Sequence, residues 1–123
     1  MAKILLIEDD PALVKALGEF LNLNGYEVAS ALDGEAGLAL ARQERPDLIL
    51  LDLILPRRPG LEVLKKLRQD PALIGLPVIV LTNVESNESV SEALALGAKA
   101  YLVKTSYSLE EVLAKVEGVL KQK

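Results

Sequence analysis

Four short polar clusters stand directly behind strongly apolar runs, and their side-chain types suit phosphoryl transfer. Glu8, Asp9 and Asp10 follow residues 3–7, Asp52 follows 48–51, Thr82 follows 78–81 and Lys104 follows 100–103. Carboxylates brought together without a counterion repel, each pair by about 4 kcal/mol at 4 Å and an effective dielectric near 20. A hard divalent cation relieves that repulsion, and Mg²⁺ takes one or two carboxylates, a backbone carbonyl and several waters. Three carboxylates, one lysine and one Mg²⁺ balance to zero charge, so such a pocket admits a dianionic phosphoryl donor that the bare acids would repel.

Phosphoryl transfer then needs a nucleophile, a metal on the phosphoryl oxygens and a further cation. Aspartate serves elsewhere as an acyl-phosphate nucleophile, which makes Asp52 the expected phosphoacceptor. Lys104 is placed to pair with the phosphoryl group and Thr82 to donate its hydroxyl to it. Asp9 and Asp52 are expected to ligate Mg²⁺ directly, Glu8 through water, and Ile54 through its backbone carbonyl.

Composition removes most competing chemistries. The 123 residues contain no histidine and no cysteine. Imidazole and thiolate ligands, thiol nucleophiles, Ser-His-Asp triads and disulfides are therefore excluded. A net charge of −4 with no basic run, and only four aromatic residues, disfavour phosphate-tracking and base-stacking modes of nucleic-acid binding. No stretch approaches the 18 or so apolar residues of a membrane span, and the short apolar run after Met1 is no signal segment. A soluble cytoplasmic protein with no direct nucleic-acid or membrane partner is the expectation.

The elements that must position these groups follow from periodicity. With 50% hydrophobic and 26% charged residues, the chain reads as one folded domain over residues 1–123. Strand-length apolar runs at 3–7, 27–30, 48–51, 78–81 and 100–103 alternate with helix-period segments. Leu-Ile-Leu-Leu at 48–51 and Val-Ile-Val-Leu at 78–81 are apolar at every position, the mark of parallel strands covered on both faces. Helices are predicted at 11–22, 34–44, 61–69 and 89–96, the last with an additional turn over 86–88 left open, and a fifth begins at the capping box Ser108-Leu109-Glu110-Glu111. Asp10 before Pro11 reads as an N-cap rather than a ligand, Asp33 as the cap of the second helix, and Ser89-Val90-Ser91-Glu92 as a capping box for the fourth. Arg57 and Arg58 read as a solvated loop pair.

This is an α/β chain of the flavodoxin-like (βα)₅ kind, a three-layer sandwich with a parallel sheet in order 2-1-3-4-5. In that order strands one and three are neighbours at the topological switch point. Their carboxyl ends bring Glu8, Asp9 and Asp52 to one place, where ligands of such sheets bind.

With these residues in place, the sequence resembles a response-regulator receiver domain of two-component systems, of the single-domain, chemotaxis-regulator-like kind. The resemblance spans essentially all 123 residues. It is carried by Lys3-Ile-Leu-Leu-Ile-Glu-Asp-Asp10, Asp47-Leu-Ile-Leu-Leu-Asp-Leu-Ile-Leu-Pro56, Gly60-Leu-Glu62, Pro77-Val-Ile-Val-Leu-Thr82 and Gly97-Ala-Lys-Ala-Tyr-Leu-Val-Lys104. Five such elements in order and at this spacing are highly specific.

The resemblance implies that a histidine kinase or a histidine phosphotransfer protein donates a phosphoryl group to Asp52. It implies a switch in which Thr82 moves toward that group and Tyr101 turns inward. The face of the fourth helix, fifth strand and fifth helix would then change its affinity for a downstream protein, as a monomer or a phosphorylation-promoted dimer. Such a domain would not be an enzyme beyond slow self-phosphorylation from small donors and slow self-dephosphorylation. With no DNA-binding segment after the fifth helix, its output is expected to be a protein–protein contact.

Three positions depart from the family pattern: Pro59 replaces an acid, Asn83 a small residue, and Thr105 a proline after the lysine. A non-proline residue holds a cis bond only at a cost of about 3–4 kcal/mol, so the Lys104–Thr105 bond is expected to be trans. Two other functions compete. A Mg²⁺-dependent aspartyl phosphohydrolase would place a second acid where Ile54 stands. A receiver-like docking or dimerisation module would ignore phosphorylation altogether.

Overall fold

The computed structural model describes residues 1–121, so the last two positions of the expected domain lie outside the described residues. Its elements alternate without exception: β1 (Lys3–Ile7), α1 (Pro11–Leu23), β2 (Glu27–Ala31), α2 (Gly34–Glu44), β3 (Leu48–Leu51), α3 (Gly60–Gln69), β4 (Val78–Thr82), α4 (Asn87–Ala95), β5 (Ala100–Val103), a 3₁₀ turn (Lys104–Ser106) and α5 (Leu109–Lys121). All strand pairings are parallel and the order is β2-β1-β3-β4-β5, as the strand count and apolar runs predict.

The two-residue period of the strands divides the core. Leu5, Ile7, Ile49, Leu51, Val78 and Val80 face one way, onto Leu38 and Ala41 of α2, Val63, Leu64 and Leu67 of α3, and Ala93 of α4. Ile4, Leu6, Leu48, Leu50, Ile79, Leu81 and Leu102 face the other, onto Leu17 and Leu21 of α1 and Val112 and Val116 of α5. Every residue of β3 and β4 is buried, which is why those strands carry no polar side chain before Thr82. Each buried Leu or Ile contributes about 1.5–3 kcal/mol of transfer free energy, and this rigid sheet is the platform on which its carboxyl edge is held.

Helix starts follow local chemistry. Asp10 Oδ1 accepts from the Ala12 amide at 3.0 Å, and Asp33 Oδ1 from the Ala36 amide at 2.8 Å, so both act as the expected caps. The Ser108–Glu111 box closes reciprocally: Glu111 N–H donates to Ser108 Oγ at 3.1 Å and Ser108 N–H to Glu111 Oε1 at 2.9 Å. Such a cap contributes about 1 kcal/mol.

The fourth helix differs from expectation. It begins at Asn87 rather than Ser89, because Ser86 Oγ accepts from the Ser89 amide at 3.1 Å and Ser86 is the true cap. Ser86 has no acid three residues on, so the capping-box signature pointed one turn too far along. Smaller differences are that α1 runs to Leu23, α3 starts at Gly60, β2 includes Ala31, and Thr82 is the last residue of β4 rather than the first beyond it.

Candidate functional site

The carboxyl ends of β1, β3, β4 and β5 deliver the expected residues to one edge. Asp52 N–H donates to the Ile7 carbonyl at 3.0 Å, which locks the turn after β3 beside the turn after β1. Carboxylate oxygens of Glu8, Asp9 and Asp52 all lie within 4.8 Å of one another. Glu8 (1% exposed) and Asp52 (5%) are buried, whereas Asp9 is exposed to solvent.

Lys104 is the hub of the pocket. Its Nζ lies 2.6 Å from Glu8 Oε1 and 2.9 Å from Asp52 Oδ2. The remaining oxygens accept backbone amides: Glu8 Oε2 from Asp10 at 3.1 Å and Asp52 Oδ1 from Ile54 at 3.2 Å. Ile54 itself is largely exposed at the rim, two residues beyond Asp52, where an aspartyl phosphohydrolase would need its second acid.

Charge explains the titration behaviour. Burial pushes the Glu8 carboxyl up, and the Asp52 charge adds to that, against the Lys104 ammonium and the Asp10 amide. Burial pulls the Lys104 ammonium down, but its bonds to Glu8 and Asp52 more than offset this and hold it above its ordinary value. One lysine shared by two acids leaves Glu8 under-compensated.

A carboxyl whose folded pKa is raised contributes stability that is complete below the unfolded value of 4.5 and is lost as pH rises through the higher folded value. In Mg²⁺-free buffer, Glu8→Gln should therefore gain stability relative to the parent chain as pH rises from about 4.5 toward neutrality. Denaturant melts at several pH values read this difference directly, and a difference falling with pH would refute the assignment.

The three acids and one lysine are also a plain test of metal fit. The donors are hard oxygens, which select Mg²⁺, Mn²⁺ or Ca²⁺ over softer ions. Carboxylate oxygens of Glu8, Asp9 and Asp52 within 4.8 Å of one another are close enough for one such ion to meet Asp9 and Asp52 directly and Glu8 through water. The residues present fit the ion.

Thr82 is fully buried at the end of β4, and its Oγ1 accepts from the Val84 amide at 3.4 Å. The Tyr101 hydroxyl donates to the Val84 carbonyl at 2.7 Å, with the ring packed partly against the core. Thr82 and Tyr101 thus meet through Val84, a partner that no motif singles out. The peptide bonds of the described residues include no cis bond, and Thr105 lies in the 3₁₀ turn after β5.

The reading of Arg57 and Arg58 needs correction. Arg57 is solvated, its side chain 73% exposed, but Arg58 is only 24% exposed and bonds to Glu35 at the start of α2 and Glu62 in the first turn of α3. Arg58 precedes α3 and its N-cap Pro59, so no helical spacing announces its bond to Glu62.

The family model for the response regulator receiver domain matches residues 4–117. Among curated relatives, the DNA-binding dual master transcriptional regulator RpaA of Synechocystis is 40% identical over 99% of this chain and 50% of its own length. The alkaline phosphatase synthesis transcriptional regulatory protein PhoP of Bacillus subtilis is 39% identical over 98% of the chain and 49% of its own. The chain thus spans about half the length of the curated relatives it matches. Among solved structures, a CheY-like receiver domain protein from Methanospirillum hungatei has a TM-score of 0.92 at 31% identity, covering 99% of this chain and 95% of its own. Vibrio cholerae chemotaxis protein CheY4 has a TM-score of 0.89 at 34% identity, covering 97% and 98%. Matched by the family model over residues 4–117, the chain belongs to the response regulator receiver domains of two-component signal transduction.

Proposed function

We propose that this domain, residues 1–123, is a phosphorylation-dependent switch that takes a phosphoryl group on Asp52 from a histidine kinase or histidine phosphotransfer protein. The observation that carries the reading is the single lysine held at 2.6 and 2.9 Å from two buried acids at the switch point of the sheet. Structural ion pairs of this burial are costly, and such perturbed groups gather at functional sites.

Asp9, Asp52, the Ile54 carbonyl and, through water, Glu8 would hold Mg²⁺, which supplies charge neutralisation on the phosphoryl oxygens. An Asp52 carboxylate oxygen attacks phosphorus in line while the bond from phosphorus to the donor imidazole nitrogen breaks, the electron pair leaving with the nitrogen. Lys104 exchanges its contact with Asp52 Oδ2 for a phosphoryl oxygen, and Thr82 turns its hydroxyl to another. The Thr82–Val84–Tyr101 connection carries the change to the surface of α4, β5 and α5, where a downstream protein or a second phosphorylated copy would bind. Receiver domains are signalling switches, and turnover here is limited to slow self-phosphorylation from small donors and slow hydrolysis of the adduct.

Among the described residues, no helix is long and apolar enough to cross a membrane, which agrees with action in the cytoplasm. The net charge of −4 agrees with protein rather than nucleic-acid contacts for this domain. A docking module indifferent to phosphorylation has no support in the geometry, because it gives Glu8, Asp52 and Lys104 no reason to be buried together.

Incubation with acetyl phosphate and Mg²⁺ should add one phosphoryl mass to the intact protein, and chelation should prevent it. Failure to form any adduct with Mg²⁺ bound would overturn the reading.

A further inference from the structure

We propose that Arg58 is a positioning residue for the phosphoacceptor loop, holding residues 53–59 against the start of α2 through a three-way contact with Glu35 and Glu62. The inference rests on Asp52 being the acceptor. Arg58 Nε donates to Glu35 Oε1 at 2.6 Å and Nη1 to Glu62 Oε1 at 3.0 Å. One guanidinium therefore joins the first turns of α2 and α3, the two helices that flank the loop leaving β3. The planar guanidinium meets the two carboxylates through separate nitrogens, Nε and Nη1, a geometry that lysine's single ammonium does not share.

The backbone is tied at the same place. Gly34 N–H donates to the Pro56 carbonyl at 3.3 Å, and Arg58 N–H to the same carbonyl at 2.8 Å. A Cβ at Gly34 would collide with the Arg58 carbonyl, so the loop lies directly on the α2 N-terminus. Arg57 holds a left-handed backbone (φ 69°), and its Nε lies 3.8 Å from Asp33 Oδ2, whose other oxygen caps α2. Helix α3 has no such support, because its N-cap is Pro59 and makes no side-chain bond. Arg58–Glu62 supplies the missing side-chain tie there.

This loop begins at the acceptor. Ile54 N–H donates to Asp52 Oδ1 at 3.2 Å, and Gly60 N–H donates to the Leu53 carbonyl at 2.9 Å. Releasing Arg58 frees the far end of the segment whose near end orients Asp52 and carries the Ile54 carbonyl. Both acids are half exposed, so loss of the contact changes global stability little. Local opening of a surface loop is a separate equilibrium, and it is this one that the contact controls.

The test compares the parent chain with Arg58→Gln, Glu62→Gln and the double variant, using Mg²⁺ alone as the calorimetric probe and amide exchange as a second readout. Expected are a Mg²⁺ Kd raised about 3- to 10-fold and faster exchange of the Ile54 and Gly60 amides, which are hydrogen-bonded within this loop. The melting midpoint in chelator should barely move, and the double variant should be no worse than Arg58→Gln. Equal Kd and equal exchange in all four proteins would overturn the proposal. So would a Kd change accompanied by a comparable loss of melting midpoint, which is what a merely structural contact gives. If the parent chain takes up no Mg²⁺, the acceptor reading itself fails, while exchange of the Ile54 and Gly60 amides still decides the role of Arg58.

Discussion

Lys104→Met should cost this domain about 3 kcal/mol of folding stability in Mg²⁺-free buffer, and Mg²⁺ should restore much of it. Lys104 Nζ is the cation within salt-bridge distance of Glu8 and Asp52, which are 1% and 5% exposed. Removing one partner of a buried pair typically costs about 3–5 kcal/mol, because the remaining charge stays desolvated and unpaired. The lower end applies here, since the lysine side chain keeps 19% of its exposure and Glu8 can escape by taking up a proton.

For a domain of this size that loss lowers the melting midpoint by roughly 10–15 °C. Mg²⁺ bound only by the folded cluster would stabilise by mass action, and more strongly where the lysine no longer shares the acids. Denaturant melts with chelator and with millimolar Mg²⁺ measure both effects. A Met variant as stable as the parent in chelator, or one equally deaf to Mg²⁺, would show that the acids are not held together by Lys104.

Much of the architecture was legible because burial on both faces leaves a plain trace. Leu48–Leu51 and Val78–Leu81 could only be central parallel strands, and each is buried at every position. Edge strand β2 is half exposed and reads less clearly, with Glu27 and Ser30 among its five residues, and its end was placed one residue short at Ser30. The start of α4 was misplaced for a different reason: Ser86 and Ser89 both carry a capping hydroxyl, and pattern rules favour whichever has an acid three residues later. Only the path of the chain out of β4 decides that Ser86, and not Ser89, accepts from a free amide of the first turn.

The site shows the same division. Residue type and strand-end position were enough to assemble Glu8, Asp9, Asp52, Thr82 and Lys104, because parallel strands deliver their carboxyl ends to one edge. How these groups share partners was not legible. That Lys104 divides itself between Glu8 and Asp52, and that Thr82 meets the amide and Tyr101 the carbonyl of Val84, depends on loop geometry that no spacing encodes. Arg58 was misread because a charged residue beside a proline in a loop defaults to solvent. Its acids come from two different helices.

Asp52→Asn should form no phosphoryl adduct from acetyl phosphate and Mg²⁺, a fall in rate of about three orders of magnitude or more, while the fold persists. The amide oxygen has no ionised lone pair to offer phosphorus, and loss of a nucleophile removes the pathway rather than slowing it. The fold persists because Asn matches Asp in shape. Its one oxygen can still accept from either the Ile54 amide or Lys104, the two donors that Asp52 serves now at 3.2 and 2.9 Å. The cluster also loses one of three negative charges, so Mg²⁺ should bind about tenfold more weakly, close to 1.4 kcal/mol. Intact mass and calorimetry therefore read separately the nucleophile and metal-ligand roles proposed for this side chain. An adduct that survives in Asp52→Asn would move the acceptor to Asp9, the exposed acid of the cluster, and Asp9→Asn would then have to abolish it. Asp9→Asn in the otherwise unaltered chain should instead weaken Mg²⁺ binding while leaving Asp52 able to accept, slowly, at saturating Mg²⁺. The nucleophile is thus distinguished from its metal-holding neighbour by whether more Mg²⁺ rescues the loss.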